Sequence, residues 1–169
     1  ASETLTVDGI SYTFPVGGAT VLVGDTVDGS SLFTTACAYG GPSNTLDDCG
    51  NVNAAFVGSG TTLGASYDFD NGFSAALGYA GAGDSTSGLM TKEGADSYGG
   101  NVAYTADTYA VSVTYAMTED ASGVDDTYTA LNAYWTPDGF PSISAGYEWG
   151  DDGSAASTAD ELTSYFVGI

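Results

Sequence analysis

The sequence predicts an all-β chain, an antiparallel up-and-down meander of about eight or nine strands. Three observations predict it. Large apolar residues alternate with small or polar ones at period two in segment after segment. Short turns rich in Gly, Asn and Asp join these segments in pairs, and longer polar stretches separate the pairs. Helical periodicity is convincing nowhere, and 25 glycines with many threonines disfavour helices.

Successive side chains of a strand point to opposite faces, so period two marks a sheet with two different environments. The segments Ile10–Val16 and Ala19–Asp25 carry the pattern weakly and meet at Gly17-Gly18. Next, Leu63, Ala65, Tyr67 and Phe69 alternate with Gly64, Ser66 and Asp68. Asp70-Asn71-Gly72 turns the chain into Phe73, Ala75, Leu77 and Tyr79, which alternate with Ser74, Ala76 and Gly78. Residues 98–104 form a weaker segment and lead through Ala106-Asp107-Thr108 into the clearest one. There Tyr109, Val111, Val113, Tyr115 and Met117 alternate with Ala110, Ser112, Thr114 and Ala116. Residues 128–135 are weaker again. Pro137-Asp138-Gly139 then precedes Ile143, Ala145, Tyr147 and Trp149, set against Ser144, Gly146 and Glu148. Residues 164–169 close the series.

Asn-Gly and Asp-Gly supply the positive φ values that tight hairpins need. The longer connections fall at about 27–53, 81–96, 119–125 and 150–162. Connections therefore alternate short and long. In a meander this puts every short turn at one end of the sheet and every long loop at the other, as in outer-membrane barrels. Aromatic residues bracket the strand bodies. Phe14, Phe69, Phe73, Tyr104, Tyr109, Trp135 and Phe140 crowd the short-turn end. Tyr79, Tyr98, Tyr115, Tyr128, Tyr147, Trp149 and Tyr165 lie toward the long loops. Two such rows match interfacial girdles, with outer-membrane lipid as the partner. The alternative is a soluble β-sandwich with these aromatics in its core.

The 169 residues suit one domain, 1–169, and carry 22 acids against a single base, Lys92, with no His, for a net charge of −21. Nucleic-acid binding is disfavoured, since little could neutralise phosphates. Histidine catalysis and histidine metal sites are excluded, and nothing around Lys92 resembles a phosphate-cradling loop. With 43% apolar residues the chain is too apolar for a solvated acidic tail. It has no run of about 18 apolar residues for a membrane helix and no visible signal peptide. Starting at Ala1, it reads as a mature or processed product. Cys37 and Cys49 lie in a Gly/Asn/Pro-rich stretch. A disulfide closing that loop, in an oxidising compartment, is the first reading and two free thiols the second.

Asp47-Asp48, in the longest loop, is the leading candidate for a constriction or ion-contact site, because charged rings set selectivity where a loop enters a lumen. Asp68 and Glu148 face inward and add negative potential along such a passage. Ca²⁺ or Mg²⁺ at the acidic loops is an option, although Asp68-x-Asp70-Asn71-Gly72 lacks the later ligands of a calcium loop and reads as a hairpin turn. No other cofactor is expected. Paired loop acids without a nucleophile and base do not make an enzyme. Acidic residues repel anions, so a pore would prefer cations.

Five stretches resemble a known family. These are Ile10-Ser-Tyr-Thr-Phe-Pro, the cysteine loop from Leu32 to Asn53, Gly64-Ala-Ser-Tyr-Asp-Phe-Asp-Asn-Gly-Phe, Leu89-Met-Thr-Lys-Glu-Gly-Ala-Asp-Ser-Tyr-Gly and Phe140-Pro-Ser-Ile-Ser-Ala-Gly-Tyr-Glu-Trp-Gly. They are similar to the barrel region of marine-type cyanobacterial outer-membrane porins, often labelled iron-uptake or carbohydrate-type. The resemblance implies passive diffusion of small solutes and cations across the outer membrane. Members of that family also carry an N-terminal S-layer-homology segment and a coiled-coil spacer, which this sequence lacks, and further C-terminal strands. The resemblance therefore implies a fragment of a larger barrel. The small inner-face residues agree, since they would leave voids in a closed eight-stranded barrel and suit a wider, wet one. Open edges seek partners, which predicts a homo-oligomer or an edge-paired assembly. The competing function is a structural or adhesive extracellular β-assembly built through those edges.

Overall fold

The computed structural model describes residues 7–38, 49–56, 60–82, 89–90, 94–119, 124–153 and 161–169. Among them the chain forms nine strands: β1 (Ile10–Val16), β2 (Ala19–Asp25), β3 (Thr61–Phe69), β4 (Phe73–Gly81), β5 (Asp96–Thr105), β6 (Tyr109–Glu119), β7 (Asp125–Trp135), β8 (Ile143–Asp151) and β9 (Glu161–Gly168). They make one sheet in sequence order, and every neighbouring pair is antiparallel. The all-β meander of the sequence reading is thus the observed fold. No helix of the described residues is long and apolar enough to cross a membrane.

The sheet is not closed, and β1 and β9 are its two edges. An odd number of alternating strands leaves β1 and β9 running the same way, so they cannot pair with each other antiparallel. The short turns follow β1, β3, β5 and β7, as the turn residues predict. The first is the tightest. Val16 pairs with Ala19, leaving Gly17 and Gly18 at φ 55° and 91°. Positive φ at both central residues is the type I′ arrangement, one of the two mirror-image turns whose twist matches that of the strands.

The two faces of the sheet differ sharply. One carries Leu63, Tyr67, Phe69, Phe73, Leu77, Tyr98, Val102, Val111, Val113, Tyr115, Leu131, Tyr147 and Trp149, all exposed. The other carries small and polar residues, and it is the buried one: Thr62, Asn101, Ser112, Thr114, Asn132 and Ser144 are each no more than 4% exposed. A soluble one-layer sheet would do the opposite, hiding its apolar face and wetting its polar face. What covers the polar face is the connection between β2 and β3.

Candidate functional site

Of the connection between β2 and β3, residues 26–38 and 49–56 lie across the inner face of the sheet. Their outbound leg crosses the strands, with alternate backbone N–H groups aimed at the wall. The Thr34 N–H donates to Asn101 Oδ1 of β5 at 2.9 Å, the Ala36 N–H to Ser112 Oγ of β6 at 2.9 Å, and the Ala38 N–H to Ser144 Oγ of β8 at 2.8 Å. The Asn101 amide also donates to the Thr34 carbonyl at 3.1 Å and to Thr114 Oγ1 at 2.8 Å. The return leg is held the same way. Ser164 Oγ of β9 donates to the Gly50 carbonyl at 3.0 Å, and the Asn132 amide of β7 donates to the Cys49 carbonyl. An irregular segment buried against a wall must have its backbone groups paired, and short Asn and Ser side chains pair them without filling the space the loop needs.

Glycine supplies the rest of that space. At Gly146 of β8 a Cβ would overlap the Cys49 carbonyl, and at Gly78 of β4 it would overlap the Gly29 carbonyl. The two backbones touch at those points, which is what glycine in a strand interior often marks.

Glu148 of β8 is the strongest anchor. Its side chain is 2% exposed, and both carboxylate oxygens face one turn of the loop. The Asn53 N–H donates to Oε2 at 3.0 Å, the Ala54 N–H to Oε2 at 2.8 Å, and the Asn53 amide to Oε1 at 2.9 Å. Successive N–H groups cupped around an oxyanion stabilise its charge without a cation. Beside this anchor Phe56 seals the loop against Ala80, Ala116, Tyr128 and Ala130, with Phe33 set edge-on at 6.0 Å. The disulfide Cys37–Cys49 ties the outbound to the return leg, with the Cα atoms 6.2 Å apart. Two amide oxygens of this interface, Asn51 Oδ1 and Asn132 Oδ1, are buried without a hydrogen-bond partner.

The predicted site residues divide. Asp47 and Asp48 lie outside the described residues. Asp68 is exposed on the inner face near the short-turn end of β3, five strands away from Glu148. Glu148 faces inward as read, but it is buried and its carboxylate is taken up by the loop. It is corrected from an open ion contact to the loop's anchor, because three loop donors out-compete solvent for it. The wet inner wall is corrected as well. Over β5–β8 the small residues make room for a packed loop rather than for water. The disulfide is present as first read.

On the outer face, Phe69, Phe73, Tyr104, Tyr109 and Trp135 form a band at the short-turn end, with Phe140 exposed in the turn after β7. Phe73 pairs with Tyr104 across the strands, their rings 4.8 Å apart. Tyr115 and Trp149 stand toward the long-loop end of the same face, while Tyr147 sits at the middle of β8, in register with Leu131 and Val113. Tyr128 does not join them. It pairs with Ala116 and Gly150, which places it on the inner face, where it is 8% exposed against the loop. The loop-holding residues Asn101, Ser112, Asn132, Ser144 and Ser164 were legible only as small polar inner-face positions.

Among the described residues, no three His, Cys, Asp or Glu side chains converge as a metal site. No protein-family model matches the chain, and no curated protein matches it significantly.

Proposed function

We propose that the chain is the wall, or part of the wall, of an outer-membrane β-barrel pore in which the inward-folded segments 26–38 and 49–56 narrow the passage for small solutes and cations. The observation that supports this reading most is the inversion of the sheet. Its apolar, aromatic-banded face is bare, while its polar face is packed with an inward-folded loop. A bare apolar face of this extent needs an apolar partner, and lipid flanked by two aromatic rows fits it. Because β1 and β9 run the same way, an all-antiparallel closure takes further strands, from flanking chain or from other copies. With acids dominating the charge, the passage attracts cations. Reconstitution into planar bilayers tests the reading. Discrete conductance steps with a cation-selective reversal potential are expected, and an anion-selective potential or the absence of steps overturns it.

A second reading is favoured by the two open edges, which present unpaired backbone groups. On that reading copies join edge to edge into an extracellular β-assembly. Filaments in detergent-free buffer, seen by electron microscopy, would support it over the pore.

A further inference from the structure

The long-loop end of β7–β9 carries a patch that breaks the apolar pattern of the outer face. In register, Trp149 of β8 stands between Thr129 of β7 and Thr163 of β9. One step toward the long loops, Asp151 stands between Thr127 and Glu161. One step the other way, Tyr147 stands between Leu131 and Tyr165. Thr127, Thr129, Tyr147, Trp149, Asp151, Glu161 and Thr163 line a recess of about 420 Å³. The Trp149 and Tyr147 rings lie 5.8 Å apart at 35° and are about half exposed, so they form a two-ring platform with an open face.

We infer that this recess binds the neutral sugar headgroup of a glycolipid. The inference rests on the membrane reading above, which places the Asp151 and Glu161 end of the patch toward the upper headgroups, with Trp149 one step below and Tyr147 deeper in the wall. Each feature selects for such a ligand. The C–H-bearing face of a sugar ring is weakly positive and stacks on the electron-rich face of Trp or Tyr. Carboxylate oxygens accept hydrogen bonds, and although the Gly153 N–H donates to Asp151 Oδ1 at 2.8 Å, Asp151 Oδ2 and Glu161 offer acceptors to sugar hydroxyls. They face each other directly across two strands, where like charges repel, and donors from a ligand relieve that repulsion. The threonine hydroxyls beside Trp149 both donate and accept. Among the described residues no cationic side chain stands beside the two carboxylates, so a phosphorylated headgroup is disfavoured there.

The test uses the full chain with Trp135→Phe, so that Trp149 is the sole tryptophan reporter. The protein is floated with phosphatidylcholine vesicles doped with digalactosyldiacylglycerol, phosphatidylglycerol or phosphatidylethanolamine. Trp149 emission and co-purifying lipid are both read. The galactolipid is expected to shift the emission and to be enriched about threefold to tenfold over phosphatidylglycerol, the range one aromatic contact supplies. Asp151→Asn with Glu161→Gln, and separately Thr129→Val with Thr163→Val, should abolish the enrichment while flotation persists. Flotation without lipid preference, preference for phosphatidylethanolamine, or enrichment that survives both variant pairs overturns the inference alone. Failure to float with any vesicle overturns the membrane reading and this inference together.

Discussion

Glu148 shows how one inner-face position can set the course of a loop. Its carboxylate collects the Asn53 and Ala54 N–H groups and the Asn53 amide, and it has no cation partner among the described residues. Glu148→Gln keeps the shape but turns an –NH2 group toward donors, leaving buried N–H groups unpaired. The anchor should weaken by about 2 kcal/mol, within the range for bonds to a charged group. Hydrogen-exchange mass spectrometry should show faster exchange at residues 53 and 54, with the strands unchanged. Gly146→Ala attacks the same interface by volume, since its Cβ overlaps the Cys49 carbonyl. A loss of about 1–3 kcal/mol is expected from overpacking, read as a lower melting temperature.

On the pore reading the loop is the element that narrows the passage, and the disulfide is its covalent constraint. Cys37–Cys49 spans a sequence separation of 12 and joins the two legs where they cross the wall. Closing a loop of that size is worth about 3 kcal/mol on the chain-entropy account. Cys37→Ser with Cys49→Ser should therefore release the loop before the sheet. Exchange should rise at residues 34–38 and 49–56 while β5–β8 stay protected, and pore conductance should become larger and noisier. Equal loss of protection in loop and strands would mean that the loop holds the sheet together rather than lying on it.

For the whole molecule, the inverted faces separate the two functional readings. Val113, in the middle of β6, is 47% exposed on the apolar face. In a lipid-facing wall, Val113→Arg should cost about 2–4 kcal/mol near the bilayer midplane and block insertion, measured by vesicle flotation. In an edge-built extracellular assembly the same charge sits in water and should leave assembly intact. Open edges and a bare apolar face also predict that the isolated chain aggregates without detergent, by either reading.

The strands were legible because their signal is local. Alternation and turn residues lie within a few positions of one another, so nine segments and the ends of their hairpins follow from neighbouring residues. The segment 125–135 marks where local reading stops. It carries aromatics on both parities, Tyr128 and Tyr134 against Trp135, so periodicity alone does not assign Tyr128 a face, and its pairing with Ala116 does. The inward loop lies beyond local reading for the same reason. Ser144 meets residue 38, and Glu148 meets residues 53 and 54, about a hundred positions apart in sequence. Composition fixed that the inner face is small and polar. Whether water or the chain's own backbone fills the space against it depends on packing across five strands, which only the assembled sheet brings together.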